Sequence, residues 1–412
     1  MNIKNITTLV IFTLFCFNFT NAQWVKLSYT PQSGLESIAL NGSKIYVGTQ
    51  SGLFISSDYG TTWAEAENGL PTFRQDVPAI ICEGSTVYIA YVYMGLFIST
   101  DAGLTWTLKN NGLPNSPYVE GLVKVGNDFY MATDEGVFHS NDEGANWTAA
   151  NNGLTDLDIR SIAIIGNNLF AGTYNAGLFK SAINPISWIS SNDGLPLNEN
   201  ARCYAEIADK IFLGNGDGVF VSSNGGLNWT SVSTGIENMI INDLLAVGNT
   251  LFAAIGSNDG GIVQSTDFGL TWNTINDGLP AYPYTDVLVM DNTNIFAGGP
   301  DNGSVWSRPL SELVTDIKNE NEEILFEYKL SQNYPNPFNP TTKISFTIPK
   351  MENIKVKLYN LLGEEIAEIL NETLFAGSYS IDFDGSNLST GVYFYSLESN
   401  SVYLNKKMIL IK

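Results

Sequence analysis

"GSKIYVGTQSGLFISSDYGTTW", residues 42–63, returns six more times in altered form. It recurs as GSTVYIAYVYMGLFISTDAGLTW from 84, GNDFYMATDEGVFHSNDEGANW from 126 and GNNLFAGTYNAGLFKSAINPISW from 166. ADKIFLGNGDGVFVSSNGGLNW from 208 and GNTLFAAIGSNDGGIVQSTDFGLTW from 248 follow. A seventh copy begins NTNIFAGGPDNGSVWSRPL at 292 and stops before the last tryptophan. A fixed period of about 42 residues marks a repeat architecture in which each copy is one supersecondary unit. Six of the eight tryptophans end these copies: Trp63, Trp106, Trp147, Trp188, Trp229 and Trp272, 41–43 residues apart. Trp24 lies 39 residues before Trp63 at the same phase, and it opens WVKLS, the strand that the seventh copy lacks.

Each copy reads as four short strands, rich in β-branched and aromatic residues and punctuated by Gly/Asn turns. In the fourth copy they are IRSIAII from 159, LFAGT from 169, GLFKS from 177 and WIS from 188. Strands apolar on both faces need a sheet on each side, and a ring of four-stranded blades provides it. The sequence therefore predicts an all-β protein: a seven-bladed β-propeller over about 24–313, its N-terminal strand closing the last blade and removing the open edges. A linear solenoid is the alternative, and the split last copy argues against it.

The motif Ser-x-Asp-x-Gly-x-Thr-Trp falls between the third and fourth strands. Its marker pairs are Asp58 and Trp63, Asp101 and Trp106, Asp142 and Trp147, Asn224 and Trp229, and Asp267 and Trp272, whereas SAINPISW (181–188) has lost it. An Asp followed by Gly can accept backbone N–H groups and hold a tight turn, while the Trp buries its body between blades. On these motifs residues 24–313 resemble the Asp-box (BNR-repeat) propellers: sialidases, xyloglucanase-like hydrolases, sortilin-type receptors and photosystem-assembly-factor-like proteins. The resemblance implies a fold rather than one activity. It places the motif at the outer rim, so a structural role is expected and no catalytic residue is assigned.

Ligands are expected on the face formed by the loops entering the first strands and those joining strands two and three. These loops carry Phe73, Arg74, Tyr91, Tyr93, Tyr118, Tyr174, Tyr282 and Tyr284. Such aromatics either stack on a glycan or peptide or simply cover the core. Arg160 and Arg202, with Arg74, lie in or just before first strands, where they approach the axis. A sialidase uses an arginine triad for the substrate carboxylate, but its Phe/Tyr-Arg-Ile-Pro segment is missing, and TFRQDVP (72–78) departs after Arg74. Two functional readings follow: a non-catalytic scaffold binding glycan or protein and, as the alternative, a secreted glycoside hydrolase, sialidase-like at the outside, with hydrolysis by two carboxylates a further form of it.

Other chemistry finds little support. His139 is the single histidine, at a strand position where other copies carry Ile, Lys or Val, and reads as solvent-facing or partly packed. No His/Cys spacing suits a metal and no cofactor is expected. GNGDG (214–218) reads as a turn, and DFDGSN (382–387) lacks the further ligands of a calcium loop. Cys82 and Cys203 fall in first strands nearly opposite on the ring, beyond disulfide reach, and read as buried free thiols.

The ends carry export signals. Residues 1–22 read as a signal peptide: one lysine, an apolar run from Leu9 to Phe19, and Thr-Asn-Ala before Gln23. Phe15 before Cys16 argues against a lipoprotein, and direct membrane insertion is not expected. The net charge of −22 is concentrated in residues 23–313, with 10 Lys/Arg against 29 Asp/Glu, which repels nucleic acid and anionic lipid. TDIKNENEEI (315–324) marks a linker over 314–326. Residues 327–412 read as a small antiparallel sandwich. Its motifs are Asn333-Tyr334-Pro335-Asn336-Pro337-Phe338-Asn339-Pro340, the turn from Tyr359-Asn360 to Gly363, Gly391-Val392-Tyr393 and a basic–apolar end from Lys406. They resemble the type A C-terminal sorting domain of the type IX secretion system, related to an Ig-like fold. The resemblance implies Bacteroidota-like cells, the secretion machinery as partner, and passage through the periplasm to the surface or medium.

Overall fold

The computed structural model describes residues 23–27, 34–73, 75–196, 200–257, 260–281, 283–299, 304–314, 328–348, 352–374, 377–399 and 402–411. The leader expected over 1–22, all of the expected linker but Val314, and Arg74 and Tyr282 lie outside them.

The described chain is almost entirely β-strand, with one short 3-10 turn at Leu310–Glu312. The described residues between 23 and 314 form seven four-stranded antiparallel sheets. Numbered in chain order, their first strands are Leu35–Asn41, Ala79–Glu83, Val119–Val125, Ile159–Ile165, Cys203–Ile207, Ile241–Val247 and Val287–Met290. In the first six sheets the four strands are consecutive. The seventh takes its fourth strand, Val25–Lys26, from the other end of the chain, with Val25 opposite Ser307 and Lys26 opposite Trp306. Each first strand touches the first strands of both neighbours, and Leu35–Asn41 touches Val287–Met290, so the circuit closes.

Apolar residues drive this arrangement because both faces of every sheet are covered. Seven hydrophobic clusters lie one between each pair of adjacent sheets, the last joining Leu35, Ile45 and Val47 to Phe296 and Val305. Trp24 is 1% exposed and its indole donates to the carbonyl of Ile275, at the end of sheet six. Trp147, Trp188, Trp229 and Trp272 make the same bond to Lys109, Ala150, Ser191 and Val232, each in the preceding sheet. One further element recurs: an Asn/Asp/Ser/Thr-Gly-Leu/Ile step after each fourth strand. At Gly278 φ is +92°, and a Cβ there would collide with the Trp24 carbonyl, so only glycine fits.

Residues 328–411 form two antiparallel sheets over one core. One sheet holds Lys329–Leu330, Thr341–Ile348 and Gly377–Asp384; the other holds Glu365–Leu374, Glu352–Tyr359, Gly391–Glu398 and Tyr403–Leu410. Phe338, Ile344, Phe346, Val356, Leu397 and Met408 meet between them. The Asn-Tyr-Pro-Asn-Pro-Phe motif is tied to this core. The buried Asn333 amide donates to Pro335 O and Thr342 Oγ1, and its backbone N–H donates to the Tyr395 hydroxyl. Asn336 Oδ1 accepts from Ile409 N, which docks the motif on the last strand.

Candidate functional site

The first strands are irregular where they begin. In sheets one, three, four and six the register slips by one residue, leaving Glu36, Glu120, Arg160 and Asn242 as the extra residues of β-bulges. Pro78, Arg202 and Asp286 occupy the same place in the other three sheets, each six residues before the turn that ends its first strand. One end of the circuit is therefore ringed by Glu36, Pro78, Glu120, Arg160, Arg202, Asn242 and Asp286. Bulges re-aim side chains, and here they account for four of the seven positions.

In sheets one, four and six the residue after the bulge latches neighbouring sheets together. Ser37 Oγ donates to Val77 O at 2.7 Å and Ser161 Oγ to Ala201 O at 2.6 Å. The Cys203 thiol takes the same position towards Ile241 O at 3.7 Å. In sheet six Asp243 accepts the backbone N–H of Leu288, and Asn242 donates to Thr285 O and Asp286 Oδ1. Cys203 is buried, whereas Cys82 is only half-buried, so the expectation of two buried thiols holds for one. Burial pushes the Cys82 thiol up to about 12 and that of Cys203 far up, so both stay protonated and unreactive.

The ring holds three carboxyl groups, Glu36, Glu120 and Asp286, beside two arginines. Burial raises Glu36, with Asp76 adding repulsion, and it raises Asp76 itself. Burial pushes Asp286 up to about 7, reinforced by the charge of Glu36, and pushes Asp243 up to about 7. Glu120 is raised by burial despite Arg160 beside it. Arg160 donates to Glu120 Oε1 at 2.7 Å and Asp158 Oδ2 at 2.8 Å, and its guanidinium lies 4.8 Å from the Tyr174 ring centre. Burial opposes its charge, but the two carboxylates outweigh that and hold its pKa above the ordinary value.

The aromatics sort into two groups. Tyr93 and Tyr174 are 43% and 52% exposed, Tyr284 and Phe73 are exposed, and Tyr118 is half-buried with its ring 5.4 Å from that of Tyr93, edge to face. Tyr93 adopts φ +65°, a left-handed conformation uncommon for an aromatic residue, and its N–H donates to Pro117 O. Tyr284 lines a cavity of about 260 Å³ in sheet seven with Lys26, Pro280, Pro283 and Trp306. Tyr91 corrects the sequence reading: it is 2% exposed and packs its ring edge on Phe97, so it belongs to the core between sheets one and two.

The Ser-x-Asp-x-Gly turns lie at the opposite end of their strands. Asp58 Oδ1 accepts from Ser56 Oγ and Thr62 N, and Oδ2 accepts from Thr62 Oγ1. Asp101, Asp142 and Asp267 repeat this pattern, and Asn224 keeps its Oδ1 half. Side-chain hydrogen bonds from the residue four positions on hold Asp101 and Asp142 down at about 2. Of the partner tryptophans, Trp106, Trp147 and Trp229 are buried, and Trp63 and Trp272 half-buried. Among the described residues no three His, Cys, Asp or Glu side chains form a metal-binding group.

The bulge ring was hidden from motif reading because its seven residues share no type. Its signal is phase: 36, 78, 120, 160, 202, 242 and 286 each precede the turn residues Gly42, Gly84, Gly126, Gly166, Ala208, Gly248 and Asn292 by six.

Residues 332–412 match the secretion system C-terminal sorting domain family. No curated protein matches the chain by sequence. Among solved structures it resembles YCF48 with a D1 peptide bound, at 16% identity and TM-score 0.58, over 69% of this chain and 96% of that one. It also resembles PorZ, a bacterial surface component of the type IX secretion system of Porphyromonas gingivalis, at 11% identity and TM-score 0.55. That match covers 93% of this chain and 60% of PorZ. The extracellular domain of BT4673 from B. thetaiotaomicron matches at 16% identity and TM-score 0.59, over 86% of this chain and 48% of that one. The chain thus spans less than two thirds of the PorZ and BT4673 chains. At such identities the likeness is one of fold. The chain is an all-β protein with a β-propeller fold and a type IX C-terminal sorting domain. The sorting domain engages the type IX machinery and directs export to the cell surface or the extracellular space. No helix among the described residues is long and apolar enough to cross a membrane.

Proposed function

We propose that the mature protein is a secreted or surface-attached, non-catalytic binding scaffold whose loop face engages a protein or glycan. In this reading residues 23–313 are a seven-bladed propeller closed by the Trp24 strand, and residues 327–412 are an Ig-like sorting sandwich. A signal peptide over 1–22 and a linker over 314–326 complete the chain, and the Asp-box turns serve the fold. The observation that carries the reading is Arg160, pinned between Glu120 and Asp158. A guanidinium so engaged is not open to a substrate carboxylate, and an anionic sugar would meet the field of Glu36, Asp76 and Asp286. Cationic side chains of a protein segment suit that ring better, with Tyr93, Tyr118 and Tyr174 as stacking surfaces. That the YCF48 structure holds a peptide supports a peptide ligand for a propeller of this kind.

Peptide and glycan arrays probed with mature protein, alongside a screen of fluorogenic glycosides, test the proposal. Binding lost in Tyr174→Ala or Glu36→Gln, with no glycoside cleaved, is the expected result. Turnover abolished by Arg160→Ala or Arg202→Ala would sink it. One observation favours the hydrolase alternative: the carboxyl of Asp286, near 7, suits a general acid. Cleavage lost in Asp286→Asn establishes that alternative.

A further inference from the structure

A second cleft lies at the other end of the sheets, away from the bulge ring. It measures about 470 Å³ and opens between sheets three and four. Its origin is visible by comparing sheets. In sheet one, Tyr46 and Ile55 are covered by the turn of sheet two: a Cβ on Gly103 would strike both side chains, and Tyr46 Oη donates to Ala102 O. The corresponding residues of sheet three are Tyr130 and His139. The turn that should cover them is Ile183-Asn184-Pro185-Ile186, in which Ile183 and Pro185 stand where Asp and Gly stand elsewhere. Ser181 Oγ there accepts from Ser187 N instead of from the turn glycine, so the loop follows another course. Tyr130 stays buried and donates to Ile183 O, and the cleft opens beside it at His139.

Its floor and walls have complementary chemistry. His139 stacks on Tyr130 with ring centres 4.7 Å apart and 11° between planes, presenting a flat ring. Nε2 of His139 pairs with Asp128 Oδ1 at 2.6 Å, which in the neutral tautomer leaves Nδ1 as an acceptor. Asn141 and Thr148 are exposed at the rim, and Ile183, Pro185 and Ile186 form an apolar wall. A flat ring, an apolar wall and converging donors and acceptors match a pyranose, whose faces are apolar and whose edge carries hydroxyls. The size falls in the range of about 300–1,000 Å³ usual for small-ligand sites. The cleft's one carboxylate is already paired, and the chain carries a net charge of −22, which disfavours an anionic sugar.

We propose that this cleft is a binding site for a neutral pyranose unit of a glycan, independent of the loop face. The single histidine makes the test clean. Untagged mature protein is titrated with methyl α-mannoside, methyl β-glucoside and methyl β-galactoside while the imidazole C–H resonances are followed by NMR. The expected result is a saturable shift with at least one glycoside. Asn141→Ala should weaken it about tenfold, and Tyr174→Ala on the loop face should leave it unchanged. Ile183→Asp with Pro185→Gly, which rebuilds the covering turn, should abolish the shift without removing His139, Asn141 or Thr148. Two results would overturn the proposal. One is no shift with any of the three sugars; the other is a shift of wild-type size in both Asn141→Ala and the turn-restored variant.

Discussion

Aspartates in this molecule work in two opposed ways, and pH separates them. In the Ser-x-Asp-x-Gly turns, local donors hold Asp58, Asp101, Asp142 and Asp267 below the ordinary carboxylate range. Their stabilising effect is complete above the unfolded value of about 4 and is lost as pH falls towards about 2. Asp243 and Asp286 are raised to about 7 by burial. Between pH about 4 and 7 the folded state keeps these two protons and the unfolded chain does not, so stability declines as pH rises through that window. Thermal melts should therefore show Tm increasing from pH 7.5 to about 5 and falling below about 4. Asp243→Asn should flatten the first change and leave the second. A Tm that rises steadily from pH 5 to 7.5 would contradict the burial assigned to Asp243.

Among elements, the turns and the bulged first strands were unequally legible. Residues such as Asp58 and Trp63 recur in kind as well as position, because a side chain that caps a turn must present the same atoms each time. The bulge residues recur only in position: Glu36, Glu120, Arg160 and Asn242 share a backbone irregularity that side chains of different type can occupy. Tyr91 was misassigned for a related reason, since strand and loop tyrosines look alike until the sheet beside them is known. The fourth copy was the opposite case: SAINPISW read as a decayed turn, but the cleft it leaves over His139 needs the neighbouring sheet to be seen. In the sorting domain, Asn333 is 1% exposed and bonds to Pro335 O and Thr342 Oγ1. Asn333→Ala leaves buried acceptors unmatched and should cost about 1–3 kcal/mol, read as a lower denaturation midpoint of the isolated domain or the full chain. Impaired export should accompany it, and a variant of unchanged stability and delivery would separate the motif from the fold.

For the whole molecule, tryptophan spacing was enough to anticipate the ring, because the same indole donor bond recurs at Trp24, Trp147, Trp188, Trp229 and Trp272. Trp24→Ala removes a fully buried indole and its bond to Ile275, and should destabilise the ring by about 3–5 kcal/mol in chemical denaturation. The same change at half-buried Trp63 should cost less. Deleting 327–412 should leave a folded propeller retained in the periplasm; normal surface delivery of that truncation would refute the role of the tag.

The pairing of Val25–Lys26 with Val305–Pro309 also imposes an order in time. The first strand precedes its partner by nearly three hundred residues in the chain. The clasp is thus the most non-local contact of the ring, and loop-closure entropy makes such contacts late and slow. Until it forms, one edge of sheet seven stays unpaired and can take up a strand from another chain.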